Sequence, residues 1–155
     1  MILISHRGNT DSINPEFENT KEYIDQAIHK GFQVEIDIWL IDEELFLGHD
    51  EPENKVELEW LRLRSEKLWI HTKNSDALEF FTKHCEFNFK FFWHTVEPFI
   101  ITSNGKIWAH DYKNIKDPTI CIIPPLSIEQ IKQTENRDWY AVCTDFPEIY
   151  KKRLV

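Results

Sequence analysis

The chain has 155 residues and carries 18 lysines and arginines against 27 aspartates and glutamates, so its formal net charge at pH 7 is −9. We expect residues 1 to 155 to form a single domain, well short of the roughly 250 residues of an ordinary eight-fold βα barrel. The acidic balance disfavours non-specific binding to nucleic acid or anionic membranes, so local positive charge would have to hold any phosphate-bearing ligand.

Targeting signals and structural cysteines are not indicated. The opening MILIS is shorter than the apolar part of a secretion signal, and no later apolar run approaches the ~20 residues of a membrane span. Cys85, Cys121 and Cys143 are too few and too widely spaced for a disulfide framework or a zinc ribbon. We therefore expect a soluble cytoplasmic protein with reduced thiols, no membrane span and no nucleic-acid partner.

The first third of the chain predicts a strand, a helix and a second strand. MILIS is too short for a helix and indicates a strand, and FENTKEYIDQAIHKGF predicts a helix capped by Asn19 or Thr20. QVEIDIWL predicts the next strand. A turn over residues 42 to 44 then leads into a short return strand that ends at Gly48.

The rest of the chain continues the alternation. We predict a helix over residues 56 to 66, a strand in KLWIHTK, a helix in SDALEFFTKHC with Ser75 as its N-cap, and a strand in FKFFWHTV. Asn104-Gly105 lies between two apolar runs and predicts a hairpin over residues 99 to 110. TICIIPP and WYAVCTDFPE predict two short strands around a helix in SIEQIKQ. The expected fold is α/β: a reduced or truncated TIM (βα) barrel of about six to seven main strands, mainly parallel, with one or two hairpins.

Polar side chains follow several of these strands at their carboxyl ends, where parallel α/β folds gather ligands. They are His6 and Arg7 after the first strand, Glu35 and Asp37 late in the second, His49 after the return strand, and His71 and Lys73 on one face of the third. Carboxylates bind hard divalent cations, arginine and lysine neutralise phosphate oxygens, and paired histidines move protons. The set predicts metal-assisted chemistry on a phosphate ester.

Glu35 and Asp37 lie two residues apart on one strand, so their carboxylates share a face at a spacing of about 7 Å. Between Glu35 and Glu59 the chain has ten acidic residues and one lysine, Lys55. These carboxylates could form a solvated strand face, but a strand opening a parallel sheet is usually covered on both sides. We therefore predict a cation site here.

The same residues resemble a known family. His6-Arg7-Gly8, Glu18-Asn19-Thr20, Glu35-Ile36-Asp37, Gly48-His49-Asp50 and Thr144-Asp145-Phe146-Pro147 are similar, in order, to the motifs of the glycerophosphodiester phosphodiesterase family. Each motif alone is weak, but five in the right order are specific. The first four cover the first third of the chain, and the last matches its end.

The resemblance implies a phospholipase-C-like barrel that cleaves glycerophosphodiesters to glycerol 3-phosphate and an alcohol with one divalent metal ion. It implies His6 and His49 as the general acid and base, Arg7 as a phosphate ligand, and Glu35 and Asp37 as metal ligands. The family's third strand carries a glutamate and a lysine. Here Lys73 matches as a substrate ligand, and His71 stands in place of the glutamate.

Two departures from the family pattern bear on the function. The resemblance implies Mg²⁺ or Ca²⁺, but a histidine at position 71 suits Mn²⁺, Fe²⁺ or Zn²⁺ better. The chain is also short, and the hairpin at residues 99 to 110 is expected to replace middle barrel units. A sheet edge left uncovered by this shortening leads us to expect a homodimer.

Several alternatives stay open from the sequence. The chain could be a non-catalytic relative that binds a phosphorylated metabolite or a protein partner, or an enzyme for a glycerol-phosphate unit of a surface polysaccharide. Residues 18 to 20 could serve only as a helix cap, and Asp50 could orient His49. Thr144 and Asp145 are expected mainly to close the sheet near the first strand, and His94 and His110 are not assigned to the site.

Overall fold

One ten-stranded sheet organises the fold in the computed structural model, which describes residues 1–123, 127–134 and 137–153. The strands are β1 (Ile2–His6), β2 (Gln33–Ile41), β3 (Glu44–Leu47), β4 (Asn54–Val56), β5 (Leu68–Thr72), β6 (Lys90–Phe92), β7 (Phe99–Ile101), β8 (Ile107–Ala109), β9 (Cys121–Ile123) and β10 (Ala141–Thr144). The α-helices are α1 (Lys21–His29), α2 (Leu58–Arg62), α3 (Ser75–Lys83), α4 (Ile128–Thr134) and α5 (Pro147–Arg153). Four short 3-10 helices lie at Ser65–Lys67, Cys85–Phe87, Tyr112–Asn114 and Pro118–Ile120.

A parallel core runs through the sheet in the order β6, β5, β2, β1, β10, β9, β8. β1 therefore lies inside the sheet, with Ile2 opposite Ala141 of β10 and His6 opposite Glu35 of β2. β3 pairs antiparallel with β2 and with β4, and β7 pairs antiparallel with β8. Because the core strands are parallel, their carboxyl ends lie at one edge of the sheet, as the sequence predicts.

The two ends of the sheet, β6 and β7, approach each other. The backbone N–H of Ser103 donates to the carbonyl of Phe91 at 2.8 Å, and Phe92 stacks on Trp108 with ring centroids 4.5 Å apart. Within the described residues, however, no strand ladder joins β6 to β7. The structure therefore confirms the predicted α/β class. It does not show the sheet closed into a barrel.

Apolar side chains pack on both faces of the sheet. One cluster gathers strand residues with the aromatic side chains near the sheet ends: Ile4, Trp69, Phe92, Trp108, Ile122, Ala141 and Cys143. Helix residues cover other strand faces, for example Ile24 and Ala27 of α1 and Phe81 of α3 against Val34, Ile36 and Ile70. Burial on both sides explains why β2 and β5 are almost continuously apolar apart from the residues of the site.

Several element predictions need correction. Asn74, not Ser75, caps α3, because its side-chain oxygen accepts the backbone N–H of Ala77. The helix predicted over residues 56 to 66 is limited to α2, and the strand predicted in FKFFWHTV is limited to β6. The sequence does not predict α5, which is separated from β10 by two residues, begins at the end of the segment assigned to a strand, and continues to Arg153.

The remaining element predictions are either confirmed by the structure or concern residues that it does not describe. The hairpin at Asn104-Gly105 is present as β7 and β8. Cys121 and Cys143 are buried free thiols, whereas the side chain of Cys85 and the predicted strand residues Pro124 and Pro125 lie outside the described residues. Among the helices described, none is long and apolar enough to cross a bilayer.

Candidate active site

The parallel register brings the predicted carboxylates and histidines together. His6, the last residue of β1, lies opposite Glu35, and Asp37 lies opposite His71 of β5. Side chains on alternate residues of neighbouring strands share a face, so these four residues converge on one side of the sheet. The structure thus brings together residues that are as much as 65 positions apart in sequence.

The carboxylate pair is buried. Glu35 is 3% exposed and Asp37 is fully buried. Asn19 holds Asp37 from two sides: its amide donates to Asp37 Oδ2 at 2.9 Å, and its Oδ1 accepts the Asp37 backbone N–H at 3.1 Å. Asn19 can do this because its backbone is left-handed (φ 56°), a conformation that asparagine tolerates better than most residues. It therefore positions a site carboxylate, and its side chain makes no cap bond to α1.

Arg7 follows β1 in a left-handed turn with Gly8. Its guanidinium lies 3.1 Å from Asp37 Oδ2 through Nε and donates to Glu18 Oε2 through Nη1 at 3.2 Å. Gly8 has a φ of 94°, and a Cβ at this position would meet the Tyr23 ring at 2.7 Å. The turn therefore needs glycine after Arg7 to direct the guanidinium back toward the carboxylates.

A second polar network fixes His6. Its Nδ1 lies 2.8 Å from Asp145 Oδ1, which also accepts the Asn9 amide at 2.8 Å. The same Asn9 amide reaches Glu18 Oε1 at 2.7 Å. Because the Asp145 carboxylate only accepts hydrogen bonds, His6 Nδ1 carries the proton, and Nε2 points toward Glu35 Oε2, 3.8 Å away.

His71 is held in one tautomer. Its Nε2 lies 3.0 Å from the backbone carbonyl of His94, and since a carbonyl can only accept, Nε2 carries the proton. The other ring nitrogen, Nδ1, lies 3.0 Å from Asp37 Oδ1 and 3.9 Å from Glu35 Oε1. A neutral His71 therefore presents a free lone pair toward two carboxylate oxygens, an arrangement that needs either a second proton or a cation between them.

Glu35, Asp37 and His71 have the geometry of a metal site. One ligand atom from each lies within 4.8 Å of the others. In the described part of the chain, Glu35 Oε2 is buried without a hydrogen-bond partner, and Asp37 Oδ1 is buried with the nitrogens of His71 and Lys73 at 3.0 and 3.4 Å. A buried carboxylate oxygen without a partner is costly, and a divalent ion would satisfy it. The donor set thus fits a divalent metal ion.

His49 and Lys73 complete the set of predicted site residues. Lys73 Nζ is 3.4 Å from Asp37 Oδ1. His49 is more open, with 42% of its side chain exposed, and its Nδ1 lies 2.8 Å from Asp50 Oδ1. Gly48 anchors this histidine to β2, because its N–H donates to the Asp37 carbonyl and its own carbonyl accepts the Trp39 indole N–H at 2.7 Å.

Two adjoining cavities open at this edge of the sheet. The central pocket, about 220 Å³, is lined by His6, Arg7, Glu35, His49, His71, Phe92, His94, Trp108 and His110. The side pocket, about 450 Å³, is lined by His49, His71, Thr72, Lys73, Trp93, His94 and Thr95. All seven predicted site residues except the fully buried Asp37 thus line one of the two pockets, and Asp37 contacts Arg7, His71 and Lys73 beneath them.

The electrostatic environment separates the two histidines assigned to acid and base chemistry. Burial lowers the pKa of His6, but the hydrogen bond to Asp145 and the charge of Glu35 outweigh it, so the pKa is raised above its ordinary value. The pKa of His49 is lowered, first by burial and then by the positive charge of Arg7. At neutral pH this environment favours a protonated His6 and a neutral His49.

The two carboxylates also differ. Burial and then the charge of Asp37 raise the pKa of Glu35. Burial would raise the pKa of Asp37 as well, but contact with His71 and the charge of Arg7 hold it below its usual range. In this arrangement Asp37 is the carboxylate that stays ionised. A nearby cation would stabilise the ionised form of Glu35 most.

Sequence reasoning missed four residues of the site or its supporting network. The sequence gives no role to Asn9, predicts that Asp145 mainly closes the sheet, and does not assign His94 and His110 to the site, although both of these histidines line the central pocket. His94 and His110 stack with ring centroids 4.0 Å apart. Both follow short late strands, so strand-end position was the signal that could have found them.

Comparison with solved structures supports the fold. The chain superposes on a glycerophosphodiester phosphodiesterase from Agrobacterium tumefaciens strain C58 with a TM-score of 0.63, at 12% identity and over 97% of this chain and 99% of that one. The chain shares its fold with a glycerophosphodiester phosphodiesterase. A provisionally assigned glycerophosphodiester phosphodiesterase from Galdieria sulphuraria matches with a TM-score of 0.48, at 12% identity and over 99% of this chain and 97% of that one. No protein-family model and no curated protein sequence matches the chain significantly. At this identity the phosphodiesterase fold is shown, and the activity is taken up as a proposal below.

Proposed function

We propose that this chain hydrolyses a glycerophosphodiester, or a closely related phosphodiester, to glycerol 3-phosphate and an alcohol with the help of a divalent metal ion. The observation that carries the proposal is the convergence of His6, Arg7 and His49 around the Glu35–Asp37 pair in the central pocket and directly beneath it. Fold similarity and the motif resemblance agree with this chemistry. Neither would distinguish an active enzyme from an inactive relative, so the proposal depends on the side chains.

Glu35, Asp37 and His71 would hold the metal ion. A bound divalent ion supplies Lewis-acid chemistry: it neutralises and polarises a phosphate oxygen. His71 contributes a nitrogen donor in the tautomer that leaves Nδ1 free. Because Mg²⁺ and Ca²⁺ prefer all-oxygen ligands, this donor set favours Mn²⁺ or Zn²⁺.

Arg7 and Lys73 would bind the phosphate. Both cations lie within 3.4 Å of Asp37 oxygens, so the carboxylate fixes their positions at the pocket. Arg7 lines the central pocket and Lys73 the adjoining side pocket, so a phosphodiester bound where the two pockets meet would have a planar guanidinium and a compact ammonium within reach. These charges provide the local positive potential that a chain of net charge −9 needs to hold an anion.

His6 and His49 would move the protons. One histidine accepts the proton of the glycerol hydroxyl next to the phosphate, and that oxygen attacks phosphorus to form a cyclic phosphate. The other histidine donates a proton to the departing alkoxide. Water then opens the ring with the two roles reversed, which returns both histidines to their starting states.

The test is direct. Metal-free protein is incubated with glycerophosphodiesters and, in turn, Mg²⁺, Ca²⁺, Mn²⁺ and Zn²⁺, and release of glycerol 3-phosphate is measured. We expect release chiefly with Mn²⁺ or Zn²⁺. Absence of release with all four ions would overturn the proposal, and binding of glycerol 3-phosphate without turnover would then favour the non-catalytic alternative.

A further inference from the structure

Asn9 lies at the centre of the polar network that joins His6 to Arg7. It is fully buried and belongs to none of the five motif segments that carry the family resemblance. Its backbone N–H donates to the His6 carbonyl at 2.9 Å, and its own carbonyl accepts the Ser5 hydroxyl at 2.7 Å. These two bonds fix the backbone of Asn9 in the turn that follows β1.

All four hydrogen-bonding positions of the Asn9 side-chain amide are occupied. Its Oδ1 accepts the Asn14 backbone N–H at 3.1 Å and the Tyr23 hydroxyl at 3.3 Å. Its Nδ2 donates to Glu18 Oε1 at 2.7 Å and to Asp145 Oδ1 at 2.8 Å. Because a side-chain amide has two acceptor lone pairs and two donor protons, these partners specify which end of the amide is the nitrogen.

The two carboxylates that share this amide would otherwise repel each other. Glu18 and Asp145 each have only 13% of the side chain exposed, and each accepts one proton of the same NH₂ group. Like charges close together disfavour each other's ionised form unless donors compensate them. Burial would raise the pKa of Asp145, but the hydrogen bond and charge of His6, followed by the hydrogen bond from Asn9, lower it. Asn9 thus helps to keep Asp145 ionised.

Each carboxylate holds one of two residues that have different tasks in the proposed reaction. Asp145 Oδ1 accepts the proton on His6 Nδ1 at 2.8 Å, and Glu18 Oε2 accepts a proton from Arg7 Nη1 at 3.2 Å. The Asn9 amide joins these two pairs. A displacement of the amide would therefore move the proposed acid–base histidine and the proposed phosphate ligand together.

We infer that Asn9 is a positioning residue for the proposed reaction: its amide holds the carboxylates of Asp145 and Glu18 at one fixed separation. His6 and Arg7 are thereby aimed at the same phosphodiester. The tasks of these two residues rest on the proposed function, whereas the positioning itself is a property of the free protein. Outer partners that orient a functional side chain in this way typically change activity by about 10- to 100-fold when they are removed.

The first test uses NMR of the metal-free protein and needs no turnover. Side-chain N–H groups held in hydrogen bonds exchange slowly with water, whereas the signals of loosened groups broaden through rapid exchange. The His6 Nδ1–H and Arg7 Nε–H signals are assigned with His6→Ala and Arg7→Lys. We expect both signals to broaden in Asn9→Ala. Persistence of either signal at its wild-type width would overturn the inference.

Asn9→Asp separates the donor protons from the shape of the side chain. It keeps the oxygen that faces Asn14 and Tyr23 but replaces the NH₂ group with an oxygen that only accepts hydrogen bonds. We expect both signals to broaden as much as in Asn9→Ala. Wild-type signals in Asn9→Asp would show that the amide protons are not needed and would refute the inference.

Glu18→Ala keeps the test decisive if substitution of the buried Asn9 unfolds the chain. Within the described residues, Glu18 makes its hydrogen bonds to Arg7 and Asn9 and none to His6. The His6 signal should nevertheless broaden in Glu18→Ala, because the Asn9 amide loses one of the two carboxylates that hold it. A His6 signal of wild-type width in this variant would contradict the coupling through Asn9.

The second test is kinetic. Asn9→Ala should lower kcat about 10- to 100-fold through His6 and raise KM about three- to tenfold through Arg7. Asn114→Ala is the matched control, because it removes an exposed side-chain amide that donates to the Asp111 carboxylate, and it should leave both constants unchanged. Unfolding in urea measures the folded fraction of each variant. A loss of kcat no larger than the loss of folded protein would assign Asn9 a structural role only.

Double-mutant cycles assign each effect to one carboxylate. In an Asp145→Ala background, Asn9→Ala should have no further effect on kcat, because His6 has already lost its partner. In a Glu18→Ala background, Asn9→Ala should have no further effect on KM. Full additivity in either background would overturn the inference. An inactive wild-type protein would overturn the proposed function and leave the NMR test of Asn9 in force.

Discussion

Asp37 and His71 lie opposite each other in the parallel pairing of β2 and β5, and His71 Nδ1 is 3.0 Å from Asp37 Oδ1. The His94 carbonyl fixes the proton on the other ring nitrogen. At the position where the motif resemblance implies a carboxylate, the chain thus carries a nitrogen donor that is already oriented. The metal preference of the site should follow from this single residue.

His71→Glu should shift the metal preference toward Mg²⁺. A third carboxylate replaces the nitrogen donor with the oxygen donor that Mg²⁺ prefers, so we expect the ratio of Mn²⁺ to Mg²⁺ affinity to fall at least about tenfold. Isothermal titration calorimetry of the metal-free protein measures both affinities. His84→Glu, at the C-terminal end of α3, is the control for added charge. An unchanged ratio in His71→Glu would show that position 71 does not contact the metal.

Loss of either proposed acid–base histidine should lower turnover strongly and leave the fold intact. Removing a general acid or base typically lowers the rate by about 10² to 10⁴. We expect reductions of this size for His6→Ala and His49→Ala in the glycerol 3-phosphate assay. His29→Ala, on the exposed end of α1, should retain full activity. Full turnover in either site variant would disprove that histidine's role.

The two histidines should titrate on opposite sides of 6.5 in the metal-free protein. Asp145 and Glu35 raise the pKa of His6 despite its burial, and burial followed by Arg7 lowers that of His49. The His6 contribution to stability is therefore complete below pH 6.5 and is lost as the pH rises through its raised pKa. NMR titration of the imidazole C–H signals reports both values. Asp145→Asn should lower the pKa of His6 and leave that of His49 in place; no change at His6 would contradict the assignment.

Asn19 should contribute to stability through Asp37. Asn19→Gly keeps the left-handed backbone but removes both hydrogen bonds to Asp37, leaving a buried carboxylate with fewer partners. We expect a loss of about 1 to 3 kcal/mol in the free energy of unfolding, measured with urea. Asn88→Gly is the matched control, because Asn88 also has a positive φ (53°) and is exposed. Equal losses in the two variants would assign the effect to the backbone.

Gly48→Ala should displace His49. Gly48 has a φ of 155°, and a Cβ there would lie 2.0 Å from the Glu51 carbonyl oxygen, so the segment carrying His49 has to move. A 1 Å displacement of a reacting group can lower turnover by about 10². Gly105→Ala shares the positive φ (76°) but meets nothing within 4 Å, so it should cost about 1 kcal/mol in stability and leave kcat unchanged. Similar kcat values for the two variants would argue against a role for this anchor.

Much of the site could be predicted because it depends on strand ends and strand parity. His6, Glu35, Asp37, His71 and Lys73 follow from the carboxyl-edge rule and from alternation along β2 and β5. The same rules do not show which distant residue will orient a histidine. Asp145 is 139 positions from His6, and their hydrogen bond depends on β10 pairing with β1.

The misassigned elements have local causes. Asn74 and Ser75 are adjacent and both are good N-caps, so the sequence alone does not select between them. α5 carries Pro147 at its start, Glu148 in the first turn and lysines in the last, which is a complete helix signature that the strand assignment obscured. The sequence does not show that β6 ends at Phe92. The chain leaves the sheet at Trp93, but no turn signal marks this point.

The central position of β1, between β2 and β10, has a consequence for how the protein is made. During synthesis β2 follows soon after β1, whereas β10 follows only after more than 130 further residues. His6 therefore has no Asp145 to orient it until β10 and the residues that follow it have been made. Nascent chains that stop before Asp145 should lack the assembled candidate site, because its completion depends on β10.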